Sequence, residues 1–485
     1  MADLNVLSVV SEVYPLVKTG GLADVAGALP GALASHGVEM RTLVPGYPKV
    51  MAALDDAESV HDFDHLFGGP ARLLAAKGGG LDLFVIDAPH LFDRPGGPYV
   101  DESGADWGDN AERFAALGAV GSGLGLGLVP SFSPDVVHAH DWQAGLVPAY
   151  LHYSGGRRPG TVMTIHNMAF QGKFAPWLAP MLGFPPDAMG VNGIEYYGTV
   201  GYLKAGLNFA DRITTVSPTY AEEILSPEGG MGLDGLLNTR SAVVSGILNG
   251  LDTAAWDPAS DPFIASRFDL TSLAARAANK AALQERFGLD PDPDALLFGV
   301  VSRLSWQKGL DLLAENLGTL VGLGAQLAVL GSGDANIADR FAGAQVAYNG
   351  RVGTWFGYDE ELAHLVQAGS DALIVPSRFE PCGLTQLSAL RYGALPVVAR
   401  VGGLADTVID INEMARSAAV GTGVQFSPVT APALRQALKR AHALWQDRAL
   451  WEKLQRNAME TDVSWERAAI EYDRLFRALV AERRA

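Results

Sequence analysis

Lys18-Thr19-Gly20-Gly21 sets a cation beside a pair of glycines at the start of a small-residue helical stretch. That combination suits a phosphate or nucleotide: glycine admits close backbone approach, and the first N–H groups of a helix favour an anion. His138-Ala139-His140-Asp141-Trp142 and His166-Asn167 each follow an apolar, β-branched run. Two histidines two apart on a strand share a face, and with Asp141 they offer part of a metal site. No further ligand is evident there, and a structural histidine is the commoner outcome of such a pattern. His166 is delivered at a strand end, where ligands collect in open α/β sheets. In the second half, Arg303 and Lys308 stand five residues apart ahead of a helix start, a spacing suited to a diphosphate. Glu380 then precedes Gly383, Leu384 and Thr385 at another loop that opens a helix. Its carboxylate suits sugar hydroxyls, while the following N–H groups and the Thr385 hydroxyl suit phosphate oxygens.

Other short patterns carry less. Gly331-Ser332-Gly333 lacks the third glycine of a dinucleotide fingerprint. Asp62-Phe63-Asp64 and Asp292-Pro293-Asp294 have the DxD form of metal-dependent glycosyltransferases, but such triplets arise often by chance. Cys382 has no evident activating base and reads as a packed thiol.

These groups need strands to present them. Short apolar runs at residues 6–10, 38–44, 81–86, 136–138, 161–165 and 212–216 alternate with helical stretches, the first at 22–36. The pattern restarts at 295–301, 326–330, 372–375 and 395–399. Alternation of this kind predicts parallel, doubly wound sheets. The expected organisation is two such domains with a cleft between them, residues 1–248 and 249–462, the seam falling in the turn-rich stretch 247–257. A closing segment, 463–485, carries Trp465, Ala469, Tyr472, Phe476 and Leu479 at helical spacing and needs a surface to cover. The sequence Gly20-Gly21-Leu22-Ala23-Asp24 recurs as Gly402-Gly403-Leu404-Ala405-Asp406. Both copies are expected at strand-to-helix turns, with the anion-binding reading weaker for the second.

Bulk properties bound the function. A chain of 485 residues exceeds one core. With 36 basic and 54 acidic residues its net charge of −18 gives no general attraction for nucleic acid or an anionic membrane. A neutral polymer is indifferent to that charge. One cysteine forms no intrachain disulfide. The uncharged stretch 114–134 is rich in Gly and Ala and broken by prolines, so a buried helix followed by a loop is expected rather than a membrane span. The start of the chain carries an acid where a signal peptide carries positive charge, and a cytosolic location is expected.

Lys18–Val25 (KTGGLADV) closely resembles the signature loop of bacterial glycogen synthases and plant starch synthases. So do HAHDWQ (138–143), TIHN (164–167), SRLSWQKG (302–309) and SRFEPCGLTQL (377–387), in matching order along nearly the whole chain. The resemblance implies a GT-B fold: two Rossmann-like domains, an interdomain cleft, and a last helix crossing back to the first domain. It implies glucose transfer from ADP-glucose to the non-reducing end of an α-1,4-glucan, with retention and without an essential metal or other cofactor. On this chain it implies that Arg303, Lys308 and Lys18 hold the diphosphate, with Gly20 and Gly21 at the lysine loop. Gly383, Leu384 and Thr385 help bind phosphate, Tyr358 stacks on adenine, and Glu380 binds the glucose hydroxyls. His166, Asn167, Asn249 and Asp141 line the glucose and acceptor side. No residue stands out as a double-displacement nucleophile, so a front-face route is the expected chemistry. A transferase of the same fold using UDP-glucose or forming sucrose, a glucan phosphorylase, and a non-catalytic glucan- or nucleotide-binding protein are the alternatives. The oligomeric state stays open.

Overall fold

The computed structural model describes residues 4–484. The chain forms two compact units, Met1–Asn249 with Trp465–Ala485, and Gly250–Ser464. Asn249 therefore falls with the first unit, one residue beyond the expected boundary. Ile247 N–H donates to the Thr215 carbonyl of the first unit, whereas Leu251 N–H donates to Val463 of the second.

The strands of the first unit are β1 (Leu4–Val9), β2 (Val38–Pro45), β3 (Asp55–Leu66), β4 (Gly69–Gly78), β5 (Leu81–Asp87), β6 (Val136–His140) and β7 (Gly160–Ile165). They continue as β8 (Lys173–Phe174), β9 (Glu195–Tyr196), β10 (Thr199–Gly201), β11 (Arg212–Thr215) and β12 (Val244–Gly246). Nine of them form one sheet in the order β12-β11-β7-β6-β1-β2-β5-β4-β3, and β8-β10-β9 make a small separate sheet. From β12 to β5 all neighbours are parallel. Central strands such as β1 and β6 are covered on both faces, which is why they read as continuous apolar runs.

At one edge the sheet departs from the all-parallel expectation. β3 and β4 form an antiparallel hairpin that pairs through β4 with β5. β3 is mostly exposed and carries five acidic residues, a charged edge that resists pairing with another chain. The pair Asp62 and Asp64 lies on this strand.

The second unit contains β13 (Leu297–Val301), β14 (Gln326–Gly331), β15 (Val352–Phe356), β16 (Ala372–Val375), β17 (Leu395–Ala399) and β18 (Val424–Phe426). Their order, β15-β14-β13-β16-β17-β18, is parallel throughout and is the doubly wound 3-2-1-4-5-6 arrangement. The order reverses between β13 and β16, and ligands bind beyond the carboxyl ends of strands at such a switch point. In the first sheet the corresponding reversal lies between β1 and β6.

The surface that the closing helix covers is in the first unit. Glu466–Arg484 is helical, and Trp465, Ala469, Tyr472, Phe476 and Leu479 are all buried. They pack with Val6, Val25, Leu29, Leu33 and Val136 in one cluster. Stretch 114–134 starts inside the buried helix Asn110–Gly125 and ends in a loop. Among the described residues no helix is long and apolar enough to cross a membrane.

Candidate active site

In the second unit, six residues singled out from the sequence converge. Arg303 and Lys308 follow β13; Glu380, Gly383, Leu384 and Thr385 follow β16, and all six line one cavity of about 220 Å³ at the switch point. The helix Thr385–Tyr392 opens directly on it, so its N-terminal N–H groups and partial positive charge add to the two cations. Lys308 Nζ donates to Glu380 Oε2 at 2.5 Å, and Ser377 Oγ donates to the same oxygen at 2.8 Å. Glu380 is only 6% exposed, so this carboxylate is held by two fixed donors rather than by water. Arg378 joins the two loops. Its N–H donates to Gln307 O, and its guanidinium forms a two-pronged pair with Asp311 at 2.7 Å. Neither Ser377 nor Arg378 carried a role in the sequence reading: Arg378 has its partners 67 or more positions away, and the Ser377 bond to Glu380 depends on how the loop folds.

The second copy of the GGLAD sequence does not act as an anion-binding turn. Gly403 N–H donates to the carbonyls of Glu380 and Pro381, so it holds the Glu380 loop instead. A Cβ on Gly402 would overlap the Glu380 carbonyl oxygen, and one on Gly403 would overlap that of Cys382. Glycine is required here for close packing. Cys382 itself is buried. Tyr358 sits on the loop after β15, 81% exposed, its hydroxyl donating to Glu360 at 3.0 Å. It is not among the residues lining the cavity.

In the first unit the groups gather at the ends of β1, β6 and β7. Glu12, just beyond β1, is buried and accepts from Thr19 N–H, the Thr19 hydroxyl and the Tyr99 hydroxyl, with Gly20 N–H at 3.4 Å. Burial pushes its carboxyl above the ordinary value against these lowering bonds. The carboxylate thus moulds the loop that carries Lys18, whose Nζ donates to Asp24 at 2.7 Å. A Cβ on Gly20 or Gly21 would meet nothing within 4 Å, so the space above this turn is open.

Asp141 follows β6 with its backbone in the left-handed region, φ 54°, a strained geometry for a non-glycine residue. The turn aims its carboxylate at the end of β7, where it accepts from His166 N–H at 2.7 Å and Asn167 N–H at 3.5 Å. Burial raises its pKa to about 7, and those backbone bonds oppose the shift. His138 and His140 do share a face, their rings 4.0 Å apart. Both are committed to hydrogen bonds: His138 Nε2 to Thr164 Oγ1 at 2.6 Å, His140 Nδ1 to His166 Nε2 at 3.0 Å. Among the described residues no group of three or more His, Cys, Asp or Glu could hold a metal ion. Asn167 Oδ1 accepts from Ala169 N–H in a tight turn. Asn249 follows β12 at the far edge of the sheet, buried, its amide oxygen without a partner among the described residues.

Two sheets of this topology, with cations and a carboxylate at one switch point and a histidine–aspartate pair at the other, define a two-domain α/β glycosyltransferase of GT-B form. The starch synthase catalytic domain family matches residues 5–239, and glycosyl transferases group 1 matches residues 282–458. A glycogen synthase of Rhodopseudomonas palustris (strain BisB18) is 62% identical over all of this chain and 99% of its own length. One from Methylocella silvestris is 63% identical, with both chains fully covered. The catalytic domain of starch synthase IV from Arabidopsis thaliana, solved with ADP and acarbose bound, is 31% identical with a TM-score of 0.88, covering 99% of each chain. Sucrose-phosphate synthase from Thermosynechococcus elongatus, 18% identical with a TM-score of 0.57, shares the fold. The chain belongs to the glycogen synthase family.

Proposed function

We propose that this chain transfers glucose from ADP-glucose to the non-reducing end of an α-1,4-glucan, with retention of anomeric configuration and release of ADP. The observation that carries this reading is the cavity at the switch point of the second sheet. It joins Arg303, Lys308 and a helix N-terminus, which suit a diphosphate, to the buried Glu380, which suits sugar hydroxyls. The family's relatives are glycogen synthases, and the starch synthase structure holds ADP and acarbose, which supports an adenine-nucleotide donor and a glucan acceptor.

In the proposed reaction the C1–O bond of the donor breaks and its electron pair leaves with ADP. A lone pair of the acceptor O4 forms the new C1–O4 bond, and the O4 proton passes to the departing phosphate oxygen. Negative charge grows on the diphosphate, where Arg303, Lys308 and the helix N–H groups await it; a preorganised donor of this kind is worth roughly 3–4 kcal/mol. Lys18 serves the same diphosphate in this reading, and these cations take the place of a metal. Glu380, held by Lys308 and Ser377, orients the glucose hydroxyls. Tyr358 stacks on the adenine, and His166, Asn167, Asn249 and Asp141 serve the glucose and acceptor side. Acceptor O4 attacks from the face the diphosphate leaves, without a covalent glucosyl-enzyme. A single cysteine and an acidic surface fit work on a neutral polymer in a reducing cytoplasm.

The test is release of ADP from ADP-glucose with and without glycogen, in parallel with UDP-glucose and with EDTA. Glycogen-dependent release from ADP-glucose that survives EDTA is expected. Preference for UDP-glucose would overturn the donor, and loss with EDTA would overturn the metal-free chemistry.

A further inference from the structure

Three side chains from three neighbouring strands line up behind His166. Ser8 lies on β1, His140 on β6 and His166 just past β7. Ser8 Oγ is 3.3 Å from His140 Nε2, and His140 Nδ1 is 3.0 Å from His166 Nε2. Ser8 and His140 are each no more than 1% exposed. The His140 and His166 rings stack with centroids 5.3 Å apart. His138 packs against His140 but bonds Thr164 instead, so it leaves the line unbranched.

We propose that Ser8 and His140 are positioning residues that set the tautomer of His166, so that its Nδ1 faces substrate as an N–H donor. The argument is one of hydrogen counting. Each neutral imidazole has one N–H and one bare nitrogen, so a bond between two of them fixes one tautomer once the other is known. Among the described residues, His140 Nε2 is the one hydrogen-bond partner of Ser8 Oγ. A buried hydroxyl whose proton has no acceptor bears the desolvation of that donor, whereas leaving a lone pair spare is cheaper. Ser8 therefore donates, and His140 Nε2 is bare. His140 then carries its proton on Nδ1 and donates it to His166 Nε2. His166 in turn carries its own proton on Nδ1, which bonds to none of the described residues. Burial presses His140 well below the ordinary histidine value and His166 to about 3, so both stay neutral at working pH. An Nδ1–H offers no lone pair. His166 accordingly binds a sugar oxygen as a donor and does not act as a general base.

This rests on the placement of His166 beside the sugar, but its test does not depend on turnover. Two-bond nitrogen–proton correlation spectra of protein labelled with 15N-histidine distinguish the two neutral tautomers, and His166→Gln identifies the His166 signals. The expected result is the Nδ1–H form of His166 in the wild-type protein and a mixture of tautomers in Ser8→Ala. Ser8→Ala should also lower kcat/KM roughly tenfold, the worth of one neutral hydrogen bond. An Nε2–H form of His166 in the wild-type protein would overturn the proposal even if Ser8→Ala did not fold. An unchanged tautomer in a folded Ser8→Ala would remove Ser8 from it. Absence of glucosyl transfer by the wild-type protein, with the Nδ1–H form present, would count against the function and leave the tautomer assignment standing.

Discussion

Lys308 and Glu380 lie 72 positions apart in the chain, yet Nζ of one is 2.5 Å from Oε2 of the other. A cation meant for phosphate and a carboxylate meant for sugar are thus fixed against each other where β13 and β16 end. Removing the lysine leaves a buried carboxylate held, among the described residues, by Ser377. Lys308→Ala should therefore lower kcat by about 10²–10³ and raise KM for the donor. Lys308→Arg should recover part of the loss, because it keeps the charge but not the compact geometry. Steady-state rates of ADP release decide it; a Lys308→Ala enzyme with near-normal kcat would remove Lys308 from the leaving-group role.

The two GGLAD copies should respond oppositely to an added methyl group. Gly403→Ala overlaps the Cys382 carbonyl, and overpacking of this kind typically costs about 1–3 kcal/mol. Gly21→Ala meets nothing within 4 Å and should fold normally while weakening donor binding. Thermal melts and donor KM for the two variants test this; equal melting losses in both would contradict it.

The histidine cluster predicts an acid weakness with a definite sign. His138 and His166 are pressed by burial from the ordinary 6.5 to about 3, and His140 also falls well below it. Between those values the unfolded chain binds protons that the native chain refuses, so stability falls as pH drops from 6.5 toward 3. Asp141 works the other way. Its pKa rises from 3.8 to about 7, so the native chain keeps a proton that the unfolded chain loses, and stability falls as pH rises through that window. Each proton contributes a slope of about 1.4 kcal/mol per pH unit where it is fully engaged. Denaturant unfolding between pH 4 and 6 should show a steeper acid loss for Asp141→Asn and a shallower one for His138→Gln. The same slope in both variants would contradict these environments.

The closing helix gives a prediction for the first unit. Phe476 is fully buried against residues of the first unit, so Phe476→Ala should destabilise the protein by about 3–5 kcal/mol. A loss below about 1 kcal/mol by denaturant unfolding would mean that the helix does not complete that core.

Much of the site was legible because strands buried on both faces write themselves as apolar runs, and ligand groups follow their carboxyl ends. Residues 372–375 and 395–399 coincide with β16 and β17, and the groups after β13 and β16 do share one cavity. The β3–β4 hairpin was not legible, since a charged, exposed edge strand has neither an apolar run nor a clean alternation. Nor was the role of His140, whose pattern reads as a structural histidine more readily than as a metal ligand and whose partner Ser8 lies 132 positions away. The second GGLAD copy looked like the first because the residues are identical; only the loop packed on Gly402 and Gly403 separates them. Tyr99, which holds Glu12, sits in a turn-rich segment with no pattern to mark it.

The most direct test of the account is incubation with ADP-[14C]glucose and glycogen, followed by precipitation of the polymer and digestion by an exo-acting α-1,4-specific hydrolase. The account predicts label in the polymer that is released among the first products, which fixes acceptor, chain end and retained configuration together. Label found only as free glucose, or polymer label resistant to that hydrolase, would contradict it.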